Sequence, residues 1–158
     1  MTIRNAAKAI IINKNKVLLL KYDNPILGEY YTLPGGGQNQ YETMVEAVKR
    51  ECLEETGYSI CIDKFVGICE IICLDEYIRV NHPNYAHKIY HIFRAYLKSE
   101  NTVNPTEVDS LQIAMEWIDL EEIKNMKILP KCIGESFLEL VQANNIIDLG
   151  SSLVRVNK

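Results

Sequence analysis

Glu51, Glu54 and Glu55 stand at spacings of three and four in the run Lys49-Arg50-Glu51-Cys52-Leu53-Glu54-Glu55. On a helix that spacing gathers three carboxylates on one face, with neighbours about 5–6 Å apart. Like charges so placed destabilise an isolated helix by about 0.2–0.5 kcal/mol per pair, so a compensating positive charge is called for. Lys49 and Arg50 are the nearby bases, and Arg50, four residues before Glu54, offsets only part of the cluster. A hard divalent cation fits better. Magnesium takes oxygen ligands, binds through one or two carboxylates, keeps several waters and leaves its other positions to substrate phosphates. Upstream, Gly35-Gly36-Gly37 leaves backbone carbonyls and N–H groups open to a metal or phosphate, ahead of a helix N-terminus that carries partial positive charge. Carboxylates, metal and open backbone together describe phosphoryl chemistry, in which metal ions polarise phosphoryl oxygen and activate water.

The elements that must position these groups follow from the apolar pattern. Residues 6–12 and 17–22 are β-branched and Leu-rich runs separated by Asn13-Lys14-Asn15, the signature of a hairpin. Residues 30–33 form a short extended piece ended by Pro34 and the glycine triplet. From 42 to 56 the pattern turns helical, with Val45, Val48 and Cys52 as its apolar stripe and Gly57 at the C-terminal cap. Residues 60–74 and 87–97 read as strands, joined by a polar loop over 75–86 long enough to contact substrate. A strand over 114–118, a short helix over 119–126 and an amphipathic helix over 131–144 opened by Pro130 complete the pattern. The tail 146–156 suits either an added edge strand or a partner-binding arm.

Composition limits the alternatives. The 158 residues are 47% hydrophobic and 24% charged, as expected of one domain spanning 1–158, and no repeat or linker divides them. A net charge of -4 provides no basic field for a nucleic-acid polymer, and no run reaches the roughly 18 apolar residues a membrane span needs. Five cysteines, odd in number and without a C-x-x-C pair, read as free cytosolic thiols, so a cytoplasmic location is expected. Between Glu42 and Glu55 lie five acids and two bases, so most of the net charge belongs to this one helix.

Gly36, Glu42, Arg50, Glu51, Glu54, Glu55 and Gly57 resemble the Nudix box, G-x5-E-x7-R-E-U-x-E-E-x-G-U with U apolar, here with Cys52 and a bulky Tyr58 at the U positions. The match covers residues 36–58, and Leu33-Pro34-Gly35-Gly36 before it is similar to the family as well. The resemblance implies an α/β fold, a mixed β-sheet sandwiched between helices with the box as a loop-helix-loop. It also implies cleavage of a diphosphate bond in a small nucleotide by a magnesium- or manganese-dependent (Mg2+ or Mn2+) pyrophosphohydrolase. Carried over residue by residue, Glu51, Glu54, Glu55 and the Gly36 carbonyl become metal ligands. Arg50 holds the glutamates, Glu42 supports it from the helix start, and Gly35, Gly36 and Gly37 meet the substrate. Relatives take their general base from the box or from a later loop. Glu51 is the first choice, followed by Glu107, Asp109 and Glu116, of which Glu116 is preferred because its strand is expected to end near the site.

Substrate subclass depends on features outside the box. The proline that accompanies many ADP-ribose hydrolases is missing from 73–76, and the arginine-rich element of coenzyme A hydrolases is missing from 21–33. Tyr77 lies one residue from the tyrosine of dinucleoside polyphosphate hydrolases and is a candidate substrate contact. Nucleoside triphosphates stay equally open. Tyr22, Tyr30, Tyr31 and Tyr85 are aromatic faces better assigned to packing than to a base, and His91 reads as an inward histidine rather than a ligand. The second functional reading is a non-hydrolytic nucleotide sensor, which in this fold typically follows loss of box carboxylates that this chain retains. The expected partner is a small nucleotide, and the fold leaves room for a homodimer with the tail 146–158 as a contact.

Overall fold

The computed structural model describes residues 3–155. β1 (Arg4–Asn13) and β2 (Lys16–Asn24) form the expected hairpin. Lys14 and Asn15 between them have φ of 48° and 63°, the left-handed pair that a two-residue turn needs to match strand twist. The chain continues through β3 (Gly28–Thr32), β4 (Gly35–Gly37), α1 (Met44–Thr56) and β5 (Tyr58–Cys73). Then come α2 (Glu76–Asn81), α3 (Pro83–Ala86), β6 (His87–Thr102), β7 (Gln112–Asp119), α4 (Lys131–Glu135), α5 (Phe137–Gln142) and β8 (Ile147–Val154).

Among the described residues eight strands join one mixed sheet in the order β3-β2-β1-β6-β5-β8, with β4 beside β1 and β7 beside β2. β1 runs parallel to β6, and β5 parallel to β8; the other pairs are antiparallel. The two-residue period of a strand divides β1 between two cores. Ala7, Ala9 and Ile11 pack with Leu18 against Ala47, Val48 and Cys52 of α1. Ile10 joins Leu19, Val66 and Ile92 against Ile133, Phe137 and Leu140 of α4 and α5. Helices therefore cover both faces, which is the α/β/α sandwich.

Several elements differ from the sequence reading. The stripe of α1 runs through Ala47 rather than Val45, which is 37% exposed; the small Ala47 lets the helix approach the alanines of β1. The glycine triplet is itself a strand, with Gly36 opposite Ala7. The polar segment 75–86 folds as two short helices, the first capped by Asp75, whose carboxylate accepts the N–H groups of Tyr77 and Ile78. The expected helix over 131–144 breaks at Ser136, and that over 119–126 shrinks to one 3-10 turn, Ile123–Asn125. The tail is an edge strand on β5. Its last residues, 156–158, lie outside the described residues, as do residues 1 and 2.

Candidate active site

The helix that carries the glutamates is fixed at both ends by its own sequence. Thr43 caps it, its hydroxyl accepting the Glu46 N–H while the Glu46 carboxylate accepts the Thr43 N–H, and Gly57 closes it in a left-handed conformation. With its apolar side on β1, α1 turns Arg50, Glu51, Glu54 and Glu55 toward the β4 turn.

Arg50 is the hub. Its Nε and Nη2 donate to the two oxygens of Glu42 at 2.7 and 2.9 Å, and Nη2 also donates to the Gly37 carbonyl at 2.9 Å. Its Nη1 reaches Glu51 Oε1 at 2.8 Å and Glu54 Oε2 at 3.1 Å. A planar guanidinium can make these contacts at once; an ammonium could not. The Asn39 N–H adds a bond to Glu42. Arg50, with help from that N–H, holds the Glu42 carboxyl down at about 2, and the guanidinium's own pKa is raised by the Glu42 and Glu51 bonds.

The remaining carboxylates are placed by the backbone. A Cβ on Gly36 would lie 2.2 Å from Glu51 Oε2, so only glycine lets that carboxylate rest against the turn. Glu55 accepts the Gly35 N–H at 2.8 Å, and burial raises its pKa against the opposing pull of Lys8 and that N–H. Lys8 donates to the carbonyls of Leu33 and Gly35, pinning the turn from the β1 side. The carbonyl of Glu54 accepts the N–H groups of Thr106 and Glu107 at 2.8 and 3.0 Å, so the loop 103–111 is tied to the end of α1.

These groups surround a cavity of about 370 Å³. Gly35, Gly36 and Gly37 line it, with the acids Glu51, Glu55, Glu107 and Asp109, the bases Arg4, Lys8 and Lys88, and the rings of Tyr22, Tyr85 and Tyr90. Glu54 stays behind on Arg50. Two of the sequence candidates lie elsewhere. Glu116 pairs with Leu19 in the β2–β7 ladder and accepts the Tyr31 hydroxyl at 2.9 Å, so Glu107 and Asp109 are the later-loop acids that reach the cavity. Tyr77, 63% exposed on α2, packs edge-on against His82 instead of lining it. The histidines are dispersed: His87 bonds Glu70 at 2.7 Å, and His91 stacks on Phe65 with burial lowering its pKa. The basic wall escaped the sequence reading; its signal is a lysine or arginine interrupting apolar strands at positions 4, 8 and 88.

The donor set suits a hard cation. Every candidate ligand is oxygen: the Glu51, Glu54 and Glu55 carboxylates and the Gly36 carbonyl. Among the described residues no group of three or more His, Cys, Asp or Glu side chains converges on one point, so Glu51, Glu54 and Glu55 do not form a gathered ligand set as they stand, and Glu54 is bonded to Arg50.

A model of the NUDIX domain matches residues 2–137. An ADP-ribose pyrophosphatase from Methanocaldococcus jannaschii is 40% identical over 63 residues, covering 40% of this chain and only 37% of that protein. Among solved structures, a NUDIX hydrolase from Nitrosomonas europaea is similar with a TM-score of 0.68 at 21% identity, over 98% of this chain and 81% of that one. A MutT protein from Bacillus halodurans is similar with a TM-score of 0.68 at 19% identity, over 97% of this chain and 91% of that one. At these identities the structures speak to the fold.

Proposed function

This chain belongs to the NUDIX family, and we propose that it is a metal-dependent pyrophosphohydrolase cleaving the diphosphate bond of a small nucleotide by attack of water on phosphorus. The observation that carries this reading is the Arg50 hub, which fixes Glu42, the Gly37 carbonyl, Glu51 and Glu54 and sets Glu51 at the glycine turn, where Glu55 is held separately by the Gly35 N–H in the same cavity. Phosphoryl transfer asks the protein for positioning and charge stabilisation more than for covalent chemistry.

Glu51 Oε1 is committed to Arg50, which leaves Oε2 against Gly36 to accept the proton of the attacking water. Glu107 and Asp109 face the same space and are the second candidates for that proton, in place of Glu116. The turn, pinned by Lys8 at one carbonyl and by Glu55 at one N–H, forms the floor for the phosphates. Tyr22, Tyr85 and Tyr90 line the cavity and are the aromatic candidates for substrate contact, in place of Tyr77. A magnesium or manganese ion held by Glu51, Glu55 and the Gly36 carbonyl, joined by Glu54 on its release from Arg50, would stabilise charge on the phosphoryl oxygens and acidify water. The same reading extends to the chain as one unit over 1–158, cytoplasmic, with the outer edge of β8 open to a second copy. No helix among the described residues is long and apolar enough to cross a membrane.

The test is a panel of nucleoside triphosphates, nucleotide sugars, ADP-ribose and dinucleoside polyphosphates, assayed with magnesium and then manganese. Turnover that EDTA abolishes supports the hydrolase. Tight nucleotide binding without turnover on any substrate would favour the sensor.

A further inference from the structure

Arg4 and Lys88 are direct partners in the parallel β1–β6 ladder, so both side chains leave the same face of the sheet, beside Tyr90 two residues on. Both line the cavity that Glu51 and Glu55 also line. Among the described residues neither has a carboxylate partner, whereas Arg50 and Arg94 are both ion-paired. What they have instead is aromatic: the Arg4 guanidinium sits 5.0 Å from the Tyr85 ring centre, and the Lys88 ammonium 5.3 Å from Tyr85 and 6.0 Å from Tyr90. Ring faces attract a cation, but more weakly than an anion does.

The arrangement is costly as it stands. Burial, reinforced by the positive charges of Lys8 and Arg4, pushes the Lys88 ammonium down to about 8. Lys8 differs from its neighbours because it is used internally, on the Leu33 and Gly35 carbonyls. Arg4 and Lys88 have no such internal duty. Two partly desolvated cations facing a cavity that also holds the acidic wall are what a ligand with a doubly charged end would compensate.

A nucleoside triphosphate has such an end, a terminal phosphate with up to two negative charges. A nucleoside diphosphate capped by a second sugar, such as ADP-ribose, has one charge on each phosphate and a neutral group at its far end. We infer that Arg4 and Lys88 hold the terminal phosphate of the substrate, which makes nucleoside triphosphates, rather than sugar-capped diphosphates, the substrate class of this site. This rests on the hydrolase reading above for its catalytic half and on the two cations alone for its binding half.

Two measurements separate those halves. The first is calorimetric binding of inorganic tripolyphosphate in EDTA, for wild type, Arg4→Met, Lys88→Met and Lys88→Arg. Each methionine variant is expected to weaken binding by about tenfold or more, and Lys88→Arg to restore most of it. The second is the ratio of kcat/KM for a nucleoside triphosphate over that for ADP-ribose, with magnesium, which the methionine variants lower by about tenfold, mainly through KM. Tripolyphosphate binding that all variants share with wild type, or a ratio that does not move, overturns the inference. If wild type hydrolyses neither substrate the hydrolase reading fails, and the metal-free binding still decides whether Arg4 and Lys88 form an anion site. Circular dichroism melts exclude misfolding, since removing the Lys88 charge relieves a burial cost.

Discussion

A single guanidinium sets the geometry of the candidate site, and its substitution is the sharpest residue-level probe. Arg50→Lys keeps the charge but cannot serve Glu42, Gly37, Glu51 and Glu54 together. Misplacing Glu51 by about 1 Å is enough to lower kcat about 10²-fold, with a smaller change in KM, as steady-state kinetics would read. Lys88 gives a prediction of opposite character. Its folded pKa lies near 8, below the ordinary 10.5, through burial and then the charges of Lys8 and Arg4, with Cys73 opposing and the rings of Tyr85 and Tyr90 against it. Between those two values the unfolded chain holds a proton that the native chain lacks, so this group makes stability rise as pH increases from about 8 toward 10.5. Urea unfolding should show that rise in wild type and not in Lys88→Met, and Lys88→Met should be the more stable protein at pH near 7. Loss of phosphate affinity together with gain of stability is the signature of a charge kept for binding. The box residues were legible in sequence because their spacing is local. Arg4 and Lys88 were not, since 84 positions separate them until β1 and β6 pair. The position of Glu116 was not legible, since the face it takes depends on the β2–β7 register, which residue types alone do not fix.

At the scale of elements, α1 works as a rigid carrier. The reciprocal Thr43–Glu46 cap is worth about 1 kcal/mol, so Thr43→Ala should lower stability by roughly that amount in chemical denaturation, with a modest loss of activity through fraying next to Glu42. The far end of the helix has a second task. The Glu54 carbonyl holds Thr106 and Glu107, and the Gly57 carbonyl holds the Val103 N–H, so the loop that brings Glu107 and Asp109 to the cavity is hung from the helix itself. Helix α1 and the long strands could be read from periodicity because each buries a continuous face. The two helices of 75–86 could not: α2 buries no residue, and its stop and start rest on Asp75 and Pro83, which a turn uses equally well. The break at Ser136 is invisible for a similar reason, because Ile133, Phe137 and Leu140 keep helical spacing across it.

For the molecule as a whole, the mixed sheet brings acidic and basic side chains of a chain with net charge -4 to one cavity. The glutamates come from α1 and the cations from the parallel β1–β6 pair, with the glycine turn between them held to both by Glu55 and Lys8. An acidic chain thereby presents Arg4, Lys8 and Lys88 beside Glu51 and Glu55 in one cavity. The sandwich was implied by the resemblance of residues 36–58 to the Nudix box, whereas the meeting of Arg4, Lys8 and Lys88 at the cavity belongs to the tertiary arrangement. The proposed function assigns metal-dependent hydrolysis of a nucleotide diphosphate bond to Glu51, held by Arg50, and Glu55, held by the Gly35 N–H. Its most direct test is the initial rate of product formation from the best substrate of the panel, with magnesium, for wild type, Glu51→Gln and Glu55→Gln. Turnover that EDTA abolishes and a fall of about 10²-fold or more in kcat for both variants are expected; variants that hydrolyse the substrate at the wild-type rate would overturn the assignment of Glu51 and Glu55.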